Sequence, residues 1–343
     1  MGNSIFKFAL RTAITLAIVF DPLPIAKSQS PQEPDETKAV GYVNWPLKTL
    51  GGKQYWSDVH LLDGYRLQMN AVTGHFRLID GKDVRLAWGN QLHCEESLKK
   101  IAAEKKLKPY SGRVILLLHG LVRSHDSMQS LADHLRANTN ATVIQIQYAS
   151  GQAPIAEHAA ALANIIRQFG PGVTSIDFVG HSMGNIVVRH YLADLKKNGE
   201  PHPQFQRMVM LAPPNQGSKM ASLLNNSLVF NAATGISGFQ LGRGWKALEK
   251  NLATPDFEFA IIAGGTDKSR VVDNPLLAGP NDLTVDLSET KLPGAADTSL
   301  VPGFHAGLLI DTEVHRQVAS FLENGFLVAA DKKQPLPRGE NLR

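Results

Sequence analysis

Cysteine is nearly absent from this chain: 343 residues contain one, Cys94. An intrachain disulfide is therefore impossible, and zinc-finger, iron–sulfur and CxxC redox readings fall with it, since each needs several thiolates at fixed spacing. Cys94 reads as a small buried hydrophobe. An excess of one charge is scarce too: 35 Lys+Arg against 31 Asp+Glu leave +4, with Lys7, Arg11 and Lys27 in the first thirty residues. That balance gives no nucleic-acid footprint. Neither GxxxxGK[ST] nor GxGxxG after a strand occurs, which disfavours phosphate-loop and dinucleotide sites. The apolar stretch 13–20, bounded by Arg11 and Asp21, is shorter than the ~20 residues a spanning helix needs. With a basic start before it and Ala26-Lys27-Ser28 after it, residues 1–28 read as a secretory signal, and the protein is expected to be exported, periplasmic or secreted. Phe6 stands where N-myristoylation wants Ser or Thr, and no cysteine near the signal can carry a lipid.

What remains is 43% hydrophobic, enough to bury a large core without metals or cross-links. Residues 29–39, with Pro31 and Pro34, read as a solvated linker. Within 40–110, three short β-prone runs (65–69, 75–79 and 84–88) are separated by turn residues and predict an antiparallel meander. A helix is predicted over 95–108 from Leu98, Ile101, Ala102 and Leu107. From 111 to 330 the character changes. Apolar runs at 114–118, 143–146, 176–179, 208–211 and 259–262 alternate with amphipathic stretches near 126–137, 155–169 and 185–196. Strands alternating with helices predict an α/β fold whose mostly parallel sheet is covered on both faces. The segment 216–252 interrupts the alternation as an insertion rich in apolar residues and glycine. Residues 331–343 read as a flexible tail.

The chemistry lies in Gly180-His181-Ser182-Met183-Gly184, entered from the strand Ile176-Asp177-Phe178-Val179 and followed by a helix. A G-x-S-x-G between strand and helix puts Ser182 on a sharp turn at the carboxyl end of the sheet, where the helix N-terminus offers N–H groups and positive potential to an oxyanion. An acyl-transfer site needs a second donor from the loop after an earlier strand. Leu121, after Leu118-His119-Gly120, fits that place and Met183 fits the first, both through the main chain. His119 reads as a structural residue ordering its loop. His190 and Asp194, four apart on a helix, make an incomplete metal site and read as a solvated face. The tryptophans, Trp45, Trp56, Trp88 and Trp245, read as packing or turn anchors.

These quoted residues, with Ala212-Pro213-Pro214-Asn215-Gln216-Gly217-Ser218, resemble the lipase-like branch of the α/β-hydrolase superfamily over about 113–321. Bacterial lipases, and more distantly GPI inositol-deacylases, have similar His-Gly loops and Gly-His-Ser-Met-Gly elbows; Asn215 departs from the more usual Pro-His-x-Gly-Ser. The resemblance implies a triad in the order Ser, Asp/Glu, His. His305, in a Gly/Pro-bounded loop, is the expected base; His315, inside a predicted helix at 312–322, reads as surface. Five candidate acids precede His305: Asp267, Asp273, Asp282, Asp286 and Asp297. Asp282 is favoured because such lipases place the acid in an Asn-Asp-x-x-Val type loop, and Asp267 is its rival.

The implied activity is carboxylic-ester hydrolysis through an acyl-enzyme, with no metal or organic cofactor required. Its substrate would be a small-molecule or lipid ester, with transient contact to a membrane or lipid surface and no nucleic-acid partner. An acyltransferase using the same triad and a non-catalytic binding protein on a hydrolase scaffold stay open. For 216–252, a lid over an acyl cleft and ordinary packing over the core also stay open.

Overall fold

The structure is a computed structural model, and it describes residues 47–48, 52–199, 202–265 and 281–339. The expected signal, linker, Trp45, Asp267 and Asp273 lie outside the described residues.

Five short strands, β1 (Leu47–Lys48), β2 (Trp56–Leu62), β3 (Tyr65–Asn70), β4 (Phe76–Ile79) and β5 (Val84–Gly89), form an antiparallel sheet in the order β1-β5-β4-β3-β2. Helix α1 (Gln91–Lys105) starts where the Asn90 side chain accepts from the His93 N–H. It closes a small core of Leu67, Leu78, Ala87, Cys94 and Leu98. Burial pushes the Cys94 thiol up to about 11, which marks an inert structural thiol. The three predicted runs appear as β3, β4 and β5. Strand β2 has no such signal, because it carries Asp58, 1% exposed, where an apolar residue would announce a buried position. Asp58 is held by Arg66 Nη1 at 2.6 Å, Gln68 Nε2 at 2.8 Å and the Gln147 N–H at 2.8 Å.

The larger unit continues through β6 (Gly112–Leu118), α2 (Gln129–Asn138), β7 (Thr142–Ile146), α3 (Ile155–Gln168), β8 (Val173–His181), α4 (Met183–Asn198) and β9 (Gln204–Leu211). The insertion contributes α5 (Lys219–Leu224), α6 (Leu228–Leu241) and α7 (Trp245–Leu248). Then come β10 (Glu258–Gly265), α8 (Leu287–Thr290), β11 (Asp297–Pro302) and α9 (Thr312–Asn324). The six strands β6 to β11 are all parallel, in the order β11-β10-β9-β8-β6-β7. Side chains alternate across them. Val114, Leu116 and Leu118 pack with Ile155, Leu162, Ile186 and Val187 of α3 and α4. Ile115 and Leu117 point the other way, to Leu131 and Leu135 of α2 and Val318 and Phe321 of α9. A parallel sheet buried on both faces by its crossover helices is the α/β architecture that the alternation of apolar runs and amphipathic stretches predicts.

Two elements differ from expectation. Strand β11 carries no apolar run because it is an edge, with Leu300 half exposed. The stretch 331–339, expected as a flexible tail, is tied down: Gln334 N–H donates to Asp297 Oδ1 at 2.8 Å and Leu336 N–H to the Ala295 carbonyl at 2.9 Å. Its polar composition conceals these main-chain partners. In the insertion, Leu241, Trp245 and Leu248 join the core, while Leu228 and Val229 stand 86% and 80% exposed. Helix α6 is broken at Gly235 (φ 55°, ψ −149°). There a Cβ would sit 1.8 Å from the Gly151 carbonyl oxygen.

Candidate active site

The connection from β6 leads to β7 on one side, whereas β8 lies on the other, so the crevice between the carboxyl ends of β6 and β8 is a topological switch point. Open α/β sheets place their ligands at such points. The two sequence motifs end these two strands. Strand β8 runs into Ser182, which has φ 52° and ψ −123°, a conformation that costs a non-glycine residue of order 1–3 kcal/mol. Its N–H donates to the Leu211 carbonyl at 2.9 Å, and the residue is 9% exposed. The close crossing of α4 over β6 requires Gly184, where a Cβ would lie 2.3 Å from the Leu118 carbonyl oxygen. Gly120 meets the elbow from the other side; a Cβ there would lie 3.1 Å from Ser182 Cβ and 3.0 Å from His181 Nδ1.

Met183 opens α4, so its N–H is among the donors a helix leaves without an internal partner. Leu121 follows Gly120 on the facing loop. That loop is fixed by the Val122 N–H, which donates to Ser150 Oγ at 3.0 Å, and by His119. Fully buried, His119 stacks on Tyr148 with centroids 4.2 Å apart. Its Nδ1–H donates to the Gly120 carbonyl at 2.9 Å while the Tyr148 hydroxyl donates to the His119 carbonyl. Burial lowers its pKa to about 3, so the ring is a neutral spacer.

Asp282 and His305 come together. Nδ1 of His305 lies 2.7 Å from Asp282 Oδ2, and the His305 N–H donates to the Asp282 carbonyl at 2.9 Å. The other carboxylate oxygen accepts from the N–H groups of Thr284 (3.0 Å) and Val285 (2.7 Å). Asp282 is 1% exposed. A carboxylate anchored by two main-chain donors fixes both the rotamer and the tautomer of the imidazole it faces. Asp286 and Asp297 are occupied elsewhere: Asp286 caps α8, and Asp297 accepts from the N–H groups of Thr298, Leu327 and Gln334. His315 is buried rather than on the surface, its Nε2–H donating to the Leu309 carbonyl at 2.9 Å. The surrounding helix is amphipathic and His315 falls on its inner face.

Three arrangements go beyond or against what the sequence suggested. His181 donates from Nε2 to the main-chain carbonyl of His305 at 3.0 Å, their rings 4.7 Å apart, and burial holds its pKa well below the usual imidazole value. Asn215, the departure from the lipase pattern, accepts from the buried Arg189 at 3.0 Å and donates to the Thr290 carbonyl at 2.8 Å. It thereby ties α4 to the loops after β9 and α8. His190, expected on a solvated face, is buried and bonds Asp194 at 2.9 Å. Among the described residues there is no group of three potential metal-binding side chains, and no helix is long and apolar enough to cross a membrane.

Residues 82–254 match the model of a family described as a domain of unknown function, DUF7379. No curated protein matches the chain. Among solved structures, the mature form of the Bacillus licheniformis lipase BlEst2 is 18% identical, with a TM-score of 0.48 over 61% of this chain and 90% of that one. The product of gene lin2722 of Listeria innocua is 17% identical, with a TM-score of 0.46 over 68% of this chain and 100% of that one. The phospholipase PlaB of Legionella pneumophila is 15% identical, with a TM-score of 0.47 over 63% of this chain and 57% of that one.

Proposed function

The chain belongs to the DUF7379 family, a domain of unknown function, and we propose that it is a serine hydrolase cleaving carboxylic esters through an acyl-enzyme. The observation that carries this reading is the Asp282–His305 hydrogen bond of 2.7 Å, taken with a serine held at φ 52° on a strand-to-helix turn. His181 links them, since it precedes Ser182 in the chain and bonds the His305 carbonyl.

In this mechanism Nε2 of His305 takes the proton of Ser182 Oγ as that oxygen attacks the ester carbonyl carbon. Asp282 keeps Nδ1 protonated and stabilises the imidazolium. The carbonyl oxygen gains negative charge and is received by the N–H groups of Met183 and Leu121. Collapse breaks the bond to the alcohol, which leaves with the proton from His305. Water then attacks the acyl-enzyme with His305 again as base, and Ser182 is regenerated. The insertion, with Leu228 and Val229 exposed, would act as a lid over the acyl chain. Deleting 222–244 is then expected to reduce activity on long acyl chains more than on short ones; equal loss on both would count against a lid. Export rests on the first 28 residues and is tested by fractionating cells that express the full chain.

The test of the activity is labelling with a fluorophosphonate, comparing wild type with Ser182→Ala and His305→Ala, followed by p-nitrophenyl esters of graded chain length. Labelling lost in both variants, with turnover by the wild type, is expected. A folded wild type that neither labels nor turns over any ester would move the binding-scaffold reading ahead. Added alcohol separates hydrolase from acyltransferase by the product formed.

A further inference from the structure

Between the segment that follows His305 and the loop that follows Leu121 the surface holds an open cavity of about 550 Å³. One wall is Ala306 and Ile310, from the segment directly after His305; the other is Arg123, Asp126, Ser130 and Asp133, from the loop after Leu121 and the start of α2. Its walls thus begin one residue after the proposed general base and two residues after one of the expected oxyanion donors. Chemistry assigns its side of the site. The atom that must approach His305 when the ester breaks is the alcohol oxygen, because His305 returns the proton to it. A cavity continuing past Ala306 therefore receives the alcohol portion rather than the acyl chain.

The charges on its walls are not equivalent. Asp126 bonds Lys53 Nζ at 2.7 Å, a lysine it shares with Asp83. Asp133 bonds Arg136 at 2.9 Å and Gln129 Nε2 at 2.7 Å. Arg123 makes no ion pair or hydrogen bond among the described residues, and it is exposed. Its charge nonetheless reaches the elbow, adding to the burial and the neighbouring His305 that push the His181 pKa down. A guanidinium with free donors on a cavity wall offers a fork that matches the two oxygens of a carboxylate or phosphate. The Ser130 hydroxyl adds a donor on the same wall. The volume lies within the range of small-molecule sites.

We propose that this cavity is a leaving-group subsite in which Arg123 selects esters whose alcohol carries an anionic group, a carboxylate or a phosphate. The proposal rests on the ester-hydrolase reading and names its substrate class. It is tested with two butyrate esters differing in that charge, 2-nitrophenyl butyrate and 3-butyryloxy-4-nitrobenzoate, on wild type, Arg123→Gln and Arg123→Lys. The wild type is expected to prefer the anionic ester in kcat/KM. The ratio of the two values should fall about tenfold in Arg123→Gln, remain largely intact in Arg123→Lys and decline with added salt. Glycerol phosphate as a competitor of the anionic ester distinguishes phosphate from carboxylate recognition. An unchanged ratio in Arg123→Gln, or an equal loss on both esters, would overturn the subsite while leaving the hydrolase standing. A folded wild type that hydrolyses neither ester and leaves Ser182 unlabelled would overturn both.

Discussion

The imidazole of His181 donates from Nε2 to the main-chain carbonyl of His305 at 3.0 Å, so the residue before Ser182, the proposed nucleophile, holds the loop that carries His305, the proposed base. In the proposed mechanism His181 acts through that carbonyl, as a positioning residue. Replacing it with Leu removes the donor and should lower kcat roughly 10²-fold, the usual cost of displacing a catalytic group by about 1 Å. Gln restores an amide donor at nearly the same reach and should recover most of that loss. The comparison of kcat and of fluorophosphonate labelling rate in the two variants reads positioning; equal activity in both would mean that the bond orders nothing.

Asp282 is expected to be the acid that orients His305. Asp282→Asn should keep the two main-chain bonds while reversing the donor that meets Nδ1, and kcat should fall by about 10⁴-fold. Asp267→Asn should leave turnover near wild type. The opposite outcome would transfer the role to Asp267.

The strain at Ser182 should be visible as stability. Its φ of 52° and ψ of −123° suit glycine far better than alanine, so Ser182→Gly should be more stable than Ser182→Ala by about 1 kcal/mol. Urea unfolding of the two inactive variants measures this directly.

Stability should also fall in acid before the carboxylates titrate. Burial lowers His119 to about 3 and His158 to about 4, against an ordinary value near 6.5 in the unfolded chain. The unfolded state then binds more protons, so stability is full above about 6.5 and is lost as the pH falls toward 4, by about 1.4 kcal/mol per pH unit for each group. Chemical denaturation at pH 7.5, 6, 5 and 4.5 tests the slope, and His158→Gln should reduce it by one proton.

Asp58 should be worth more than a surface acid. Asp58→Ala leaves Arg66, Gln68 and the Gln147 N–H facing an empty site, which should cost about 3–5 kcal/mol by analogy with broken buried pairs. Because Gln147 precedes Tyr148, whose ring supports His119, kcat should decline as well. A loss below 1 kcal/mol in urea would show that water replaces the carboxylate.

How much of this could be read in advance follows from burial. Strands β6, β8, β9 and β10 are legible as apolar runs because both faces meet helices. The elbow is legible because a short local stretch contains its strand, turn and helix. Strands β2 and β11 are not, since Asp58 occupies a core position in one and the other lies at an edge. Asp282 and His305 are recognisable as candidates by order and loop type, yet their meeting depends on how the segments after β10 and β11 return to the switch point. The bond from His181, the grip of Asn215 on Arg189 and the free charge of Arg123 are tertiary facts with no periodicity or motif. The partners of His181 and Asn215 lie 124 and 26 residues away in the chain.

The break in α6 has a mechanical consequence. At Gly235 the insertion rests main chain against main chain on Gly151, with no side chain between them to yield or to be exchanged. The helix therefore takes its pitch from a rigid fulcrum outside itself. Its outward residues, Leu228 and Val229 among them, are left as a replaceable facing, so substitutions there should leave the contact beneath undisturbed.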